Sequence, residues 1–276
     1  MKTPLVEPPA VLCFSGQDPS GGAGSQADNE SLFSLGCHCC SAITALTAQD
    51  TQDVKEILPT PSTLLIEQSR AILEDMDIKA IKIGMVGDIA NIEAIHTVLI
   101  DYPRIPVIFD PVLASGGGTE FANGEMVSAI RSLLLPLATL ITPNSVEARA
   151  IAQEADSLTA CAHELMDLGS EHVLITGTHE NSPKVTNRLW GNQKHIEDFH
   201  WDRLPHQYHG SGCTLAASIA GLLAHGFNIT AAVRDAQAFT WNSLKNAHQL
   251  GMGQWIPNRL FWVDGQTSNC NWHKAN

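Results

Sequence analysis

Positive charge is what this sequence has least of. Its 276 residues carry 16 lysines and arginines against 29 aspartates and glutamates, a net charge of −13 with histidines neutral. So acidic a chain does not draw in nucleic acid or an anionic membrane through bulk charge, and neither is expected as a partner. Any anionic ligand has to be held locally, by backbone N–H groups, a metal ion or one of the few basic side chains. A long apolar run is also missing: the most hydrophobic stretch, 133–141, is broken by Pro136 and falls far below the ~18 residues that suggest a membrane span. Residues 1–10 hold three prolines and no apolar segment of the length a secretory signal needs. Nor is there a dense cysteine framework. Cys13, Cys37, Cys39, Cys40, Cys161, Cys213 and Cys270 are odd in number and widely spread, so reduced thiols and a cytoplasmic protein are expected.

Apolar residues are plentiful at 44%, enough for a sizeable core. They alternate between short β-branched runs and longer stretches of helical period, the rhythm of βα units around a mostly parallel sheet, so an α/β fold is expected. Strands are predicted at 11–15, 41–48, 80–83, 107–109, 139–142 and 172–176, each with a small residue, Asp or Gly near its C-terminal end, where ligands sit in open α/β sheets. Helices are predicted at 25–35, 62–74, 89–99, 125–134, 145–154, 159–168, 213–224 and 230–249. Gly36 and Gly169 stand where helix C-caps do, and Pro61 where a first turn accepts proline. The weakly alternating segment 184–200 reads as extra strands or a loop beside the sheet. With no repeat and no long linker, the economical division is an extension over 1–10, one domain over 11–263 and a frayed tail over 264–276.

Two glycine-rich segments carry the chemistry. In Gly16-Gln17-Asp18-Pro19-Ser20-Gly21-Gly22-Ala23-Gly24 the Gly16/Gly21 gap matches a Walker A loop, but Gly22-Ala23 stands where Lys-Ser/Thr is required. A dinucleotide fingerprint fits no better, because Gly22-x-Gly24 lies several residues beyond the strand. The bland reading is a turn before a helix; four glycines with an Asp and a Ser in nine residues favour a ligand approaching the backbone closely. In His209-Gly210-Ser211-Gly212-Cys213-Thr214, glycines opening a small-residue helix let N–H groups converge on one point, an anion hole reinforced by the helix dipole. Cys213 at that terminus is expected to favour its thiolate; the bland alternative is a small buried thiol in a turn. Between the two lie Asp110-Pro111-Val112 and Thr142-Pro143-Asn144-Ser145-Val146-Glu147. Asn144 and Glu147 can share one hydrated Mg²⁺ through their oxygens, or form a plain Asn-x-x-Glu capping box, or both.

Taken in order, the Gly-x-Asp-Pro-Ser-Gly-Gly-Ala-Gly loop, Gln26-Ala27-Asp28, Thr47-Ala48-Gln49-Asp50-Thr51, Lys82-Ile83-Gly84-Met85, Asp110-Pro111-Val112, Thr142-Pro143-Asn144-x-x-Glu147-Ala148 and Gly210-Ser211-Gly212-Cys213-Thr214 closely resemble the hydroxymethylpyrimidine/phosphomethylpyrimidine kinases of thiamin biosynthesis. The resemblance spans about residues 11–263 and implies a ribokinase-like three-layer α/β/α fold with a central mostly parallel sheet. It implies two phosphoryl transfers from ATP with Mg²⁺, to 4-amino-5-hydroxymethyl-2-methylpyrimidine and then to its monophosphate, in a homodimer. Carried over by position, Gly16, Ala23, Asp28, Gln49 and Met85 would line the pyrimidine pocket, where the Gln49 amide offers donor and acceptor to an aminopyrimidine edge. Asp110 and Glu147 would face the metal, Asn144, Glu147, Thr176, Gly177 and Gly212 the nucleotide, and Gly210, Ser211, Gly212 and Cys213 would form the catalytic anion hole, with Cys213 as base. One departure stands out: many members carry Lys-Gly-Gly-His where this chain has Thr176-Gly177-Thr178-His179, so a lysine that could approach the nucleotide is missing. Lys82 remains, either reaching a phosphate or packing beside Met85.

Other readings compete. Cys37-His38-Cys39-Cys40 invites zinc, but the spacing fits no Cys-x₂-Cys pair and runs into a strand, which favours core thiols. Trp241, Trp255, Phe261 and Trp262 read as packing, and Gly251-Met252-Gly253 as a nucleotide-side loop. Pyridoxal kinase shares the fold and ATP chemistry. A thiol hydrolase could use Cys213 with His209, though it leaves the Asn-x-x-Glu unexplained, and a non-catalytic pyrimidine-binding protein would follow from loss of the lysine.

Overall fold

The computed structural model describes residues 7–119 and 121–263. Most of the expected extension (1–6) and the expected tail (264–276) therefore lie outside the described residues. The chain runs through β1 (Ala10–Gln17), α1 (Gly24–Ser34), β2 (His38–Gln49), β3 (Val54–Pro59), α2 (Ser62–Asp75), β4 (Ile78–Ile83), α3 (Ile89–Leu99) and β5 (Val107–Phe109). It continues through α4 (Gly124–Ala129), β6 (Leu140–Ile141), α5 (Ser145–Ile151), α6 (Leu158–Asp167), β7 (His172–Ile175), the hairpin β8 (Lys184–Gly191) and β9 (Lys194–Asp202), α7 (Ser211–Ala224) and α8 (Ile229–Lys245).

One nine-stranded sheet has the order β3-β2-β1-β4-β5-β6-β7-β8-β9. Strands β2, β1, β4, β5, β6 and β7 are mutually parallel, and antiparallel strands close both edges. The period-2 pattern of β1 explains why both faces are covered: Leu12 and Phe14 enter one apolar cluster, Val11 and Cys13 the other. Leu65 of α2, Ile95 of α3 and Leu165 of α6 pack in the first cluster. Leu32 of α1, Ile219 of α7 and Val233 of α8 pack in the second. The chain leaves β1 toward β2 on one side and later returns to β4 on the other, so the C-terminal ends of β1 and β4 flank a switch-point crevice.

Every predicted strand and helix is present, within a few residues. Gly36 and Gly169 take positive φ (+74° and +115°) after α1 and α6, as C-capping predicts. Pro61 is the N-cap of α2 and so stands one place before the first turn. The helix expected over 125–134 is shorter: α4 ends at Ala129 and relaxes through a π turn (Ile130–Leu134) into a 3₁₀ turn (Leu135–Leu137) that holds Pro136. The helix expected to reach 249 stops at Lys245, and 184–200 is an antiparallel hairpin rather than a loop. Among the described residues no helix is long and apolar enough to cross a membrane.

Phe14 sits on the central strand with no exposure, so Phe14→Ala should destabilise the protein by about 3–5 kcal/mol. Denaturant unfolding followed by tryptophan fluorescence measures the loss.

Candidate active site

The first glycine loop leaves β1 at the crevice and is organised by its own Asp18. This side chain, 3% exposed, accepts from Ser20 N (2.8 Å), Ser20 Oγ (3.0 Å) and Ala23 N (2.8 Å), an Asx turn that folds the loop back onto the start of α1. A fourth bond joins Asp18 Oδ2 to His209 Nε2 at 2.9 Å and so ties the first loop to the second. Burial pushes the Asp18 carboxyl up, but the bonds from His209, Ser20 and Ala23 outweigh it and hold it below its ordinary value. The two loops meet backbone to backbone. A Cβ on Gly22 would lie 2.3 Å from the His209 ring, and one on Gly210 2.0 Å from the Gly22 carbonyl oxygen. Gly210, with φ +73°, is the N-cap of α7, and no side chain caps that helix. Its first-turn N–H groups at 211–213 lack an intrahelical acceptor.

Beneath the loops lies a buried ion pair. Lys82 Nζ of β4 contacts Asp28 Oδ2 of α1 at 2.9 Å, with side-chain exposures of 1% and 0%, and the Ser15 hydroxyl donates to the same oxygen. Asp28 Oδ1 is buried without a hydrogen-bond partner. Burial works against the Lys82 charge, but Asp28 first, then Cys213, Asp110 and Cys13, more than restore it and raise its pKa. Lys82 is therefore committed to Asp28. Gly16 adjoins Met85, whose Sδ would sit 3.0 Å from a Cβ there, and the Met85 carbonyl accepts from Thr44 Oγ1 at 2.5 Å.

Cys213 is half-buried over this pair and does not favour its thiolate as expected from its place at a helix N-terminus. Burial pushes the thiol up to about 11; Lys82 and the Gly24 N–H pull it down, Asp110 and Asp28 push it further up. A Cys213–His209 dyad is likewise not built, since His209 Nε2 is engaged by Asp18. The acidic side of the cleft comes from β5 and α5. Burial pushes Asp110 up to about 6, helped by Asp28 and opposed by Lys82. Burial and then Asp110 push Glu147 up to about 8 against bonds from the Asn144 and Leu113 N–H groups. Asp110 faces the anion hole, its Oδ2 3.4 Å from where a Gly212 Cβ would be.

The Asn-x-x-Glu segment forms the capping box: Asn144 Oδ1 accepts from Val146 N and Glu147 N (both 2.9 Å), and Glu147 Oε2 accepts from Asn144 N (2.8 Å). Thr176 pairs beside Asn144, and its carbonyl accepts from Ser145 N at 3.1 Å. A Cβ on Gly177 would meet the Thr186 carbonyl at 2.2 Å, so the turn into β8 needs glycine there. Gln49 ends β2, opposite Val54 of β3 and just beyond the pairing of Gln17 with Leu46. The turn beyond it locks onto two further loops: Asp53 accepts from Ser115 Oγ (2.5 Å) and Thr119 Oγ1 (2.8 Å), and the Thr51 carbonyl accepts from Gln254 N (2.7 Å). A cleft of about 610 Å³ lies between these loops, with the His206 and Trp255 rings stacked 3.9 Å apart on its wall.

Among the described residues no group of three His, Cys, Asp or Glu converges as a metal cage, for zinc or otherwise. Asp110 is buried and Glu147 half-buried, and the two carboxylates suit a hydrated Mg²⁺ completed by phosphate and water. The sequence reading missed three groups: Asp18 as organiser of its own loop, Lys82 as a fixed counter-ion, and Arg259. Only Asp18 had a local signal, in Asp-Pro-Ser-Gly.

Comparison with known proteins fits this arrangement. The family described as Phosphomethylpyrimidine kinase matches residues 18–258. This chain belongs to that family. It is 37% identical over 267 residues to the hydroxymethylpyrimidine/phosphomethylpyrimidine kinase of Mycobacterium tuberculosis, covering 94% of this chain and 96% of that one. It is 32% identical over 279 residues to a chloroplastic thiamine biosynthetic bifunctional enzyme of Arabidopsis thaliana, covering 95% of this chain and 52% of the plant protein. Its ribokinase-like fold matches the pyridoxal kinase of Staphylococcus aureus solved with AMP-PCP and pyridoxal, with TM-score 0.83, 28% identity and coverage of 91% and 93% of the two chains.

The raised carboxyls predict a pH dependence in the metal-free protein. Glu147 titrates at about 8 against an ordinary 4.5, and Asp110 at about 6 against 3.8, so the folded state holds protons that the unfolded chain releases. Stability should therefore fall as pH rises from about 4 to 8. Glu147→Gln, which keeps an acceptor for the cap, should flatten that slope and raise Tm at pH 8 by about 2–4 °C per kcal/mol of relieved charge burial. Calorimetry in chelator checks both.

Proposed function

We infer that this protein transfers the γ-phosphoryl group of ATP to the hydroxymethyl oxygen of 4-amino-5-hydroxymethyl-2-methylpyrimidine, and then to the resulting monophosphate, in thiamin biosynthesis. The observation that carries the reading is the uncapped N-terminus of α7 facing Asp110 across the switch-point crevice, in a chain of the phosphomethylpyrimidine kinase family. Phosphoryl transfer has a loose transition state, so positioning and charge neutralisation matter more than covalent chemistry. The N–H groups of 211–213 hold the charge on the transferred group through fixed dipoles. Mg²⁺ bound at Asp110 and Glu147 would neutralise phosphate charge there. Gly16, Ala23, Asp28, Gln49 and Met85 take the pyrimidine, and Asp28 Oδ1, buried and unpartnered, is an acceptor waiting for a donor. Asn144, Thr176, Gly177 and Gly212 border the nucleotide. The reading includes a homodimer in the cytoplasm, in keeping with the six free cysteines among the described residues.

Cys213 is the base of the first step. As the substrate oxygen bonds to phosphorus and the bond to ADP breaks, the hydroxyl proton passes to the thiolate. Burial pushes the free thiol up to about 11, so acting as base requires that the bound ligands favour its thiolate. Likeness to a pyridoxal kinase of the same fold makes pyridoxal the second acceptor to weigh.

ADP release with the hydroxymethylpyrimidine, its monophosphate and pyridoxal as separate acceptors tests the assignment; turnover of pyridoxal alone, or of none, overturns it. Cys213→Ala should lower kcat/KM for the first phosphorylation by about 10²–10⁴ and affect the second much less, because its acceptor is already anionic. Equal losses in both steps would remove the base role.

A further inference from the structure

Arg259 lies outside every motif of the sequence, yet it is 1% exposed and its guanidinium bonds to three separate elements. Nε donates to Thr214 Oγ1 at 2.8 Å in the first turn of α7, and Nη1 to Glu30 Oε2 at 3.0 Å on α1. Nη2 donates to the Gly22 carbonyl oxygen at 2.5 Å in the first glycine loop. The Thr214 hydroxyl, held as acceptor by Arg259, donates onward to the Gly210 carbonyl at 2.8 Å. Its proton direction is thereby fixed, and Gly210 is tied to Arg259 through one hydroxyl. The contact has no slack: a Cβ on Gly210 would lie 2.9 Å from Arg259 Nη2 as well as 2.0 Å from the Gly22 oxygen.

We propose that Arg259 is a positioning residue for phosphoryl transfer: its planar fork fixes the first glycine loop and α1 against the N-terminus of α7, and so sets the geometry of the anion hole at 210–213. The inference rests on the kinase reading of that site. Three observations support it. The hole has no capping side chain, so only its backbone placement aims the donors. Gly210 packs against the Gly22 carbonyl too closely for any side chain to come between, which leaves that carbonyl in need of a buried donor, and Arg259 Nη2 supplies one. The acceptors lie on three elements, a spread that a forked guanidinium can span and a single ammonium cannot. The bond from His209 to Asp18 is a second tie between the loops, so loss of the fork shifts the hole without separating them.

Arg259→Lys keeps charge and stem but not the fork. It should fold and lower kcat for both phosphorylations by about 10²-fold, with pyrimidine KM changed by less than about 3-fold. The Thr214 amide, which donates to Gly210 O at 2.9 Å in the intact loop, should exchange its hydrogen about 10-fold faster. In Arg259→Ala, added methylguanidinium should restore part of kcat. Arg234→Gln, which removes an arginine from an exposed pair with Glu197, is the control and should keep wild-type kcat. Wild-type kcat in Arg259→Lys overturns the proposal, as does a lower Tm with kcat per folded molecule unchanged, or a kcat loss with no change in Thr214 exchange. Should Arg259→Ala not fold, Thr214→Val, which cuts the middle link, must show the same split between kcat and KM or the proposal fails. If the wild type turns over neither pyrimidine, the kinase reading fails while Thr214 exchange still tests the clamp.

Discussion

The ion pair between Lys82 and Asp28 is the fixed point of the crevice. Neither side chain has water to solvate its charge, with exposures of 1% and 0%, so each depends on the other. Together they pin α1 to β4 at the point where the chain switches sides of β1, and the Ser15 hydroxyl completes the contact from β1 itself. Such a pair contributes little net stability compared with an apolar replacement, so its value lies in placing a permanent positive charge under the site. Cys213 and Asp110 both feel it, each pulled down by Lys82 against the burial that pushes it up. The pair also dictates local sequence, since a Cβ on Gly84 would lie 2.5 Å from the Lys82 nitrogen.

Around that point the cleft divides into two electrical halves. One is made of backbone: the first turn of α7, aimed by Gly210 and anchored by Thr214. The other is made of carboxyls, Asp110 and Glu147, whose burial raises their titration by more than Lys82 and the neighbouring N–H groups lower it. Donors for an anion beside acceptors for a cation are what the proposed transfer from a metal-bound polyphosphate would need. A chain of net charge −13 can build this because dipoles and carboxyls act over a few ångströms, within the screening length, whatever the total charge.

The sequence revealed what is local and hid what is distant. Alternating residues of β1, Leu12 and Phe14 against Val11 and Cys13, disclose a sheet covered on both faces, and the parallel strands follow from the same rhythm. The strand β3 did not show because Lys55, Glu56 and Pro59 belong to an edge, where charge and proline discourage further pairing. In the site, the segments 210–214 and 144–147 were legible because their chemistry is contiguous. Lys82 and Asp28 are 54 residues apart, and Arg259 and Gly22 are 237 apart, so no spacing rule connects them. The Cys213 thiolate was misjudged for a related reason: the helix N-terminus is visible in the sequence, whereas the burial that outweighs it is not.

The threonine at 176 shows how the missing lysine is absorbed. Its amide donates to Pro143 O and its carbonyl accepts from Ser145 N, so the backbone there joins β7 to the start of α5, where Asn144 and Glu147 form the cap. Basic side chains of the surrounding elements have partners of their own, Arg149 with Glu180 at 3.0 Å, Arg188 with Asp198 at 3.7 Å, and Arg203 with the Thr178 and Glu180 carbonyls at 2.8 and 2.9 Å. On the kinase reading, phosphate charge on this side would fall mainly to N–H groups and a metal, since position 176 offers no side-chain cation. That choice shifts the demand from charge to geometry. A lysine finds a phosphate from many positions, but a helix N-terminus serves only if it is aimed, and aim is what the glycine contact and its buried arginine provide.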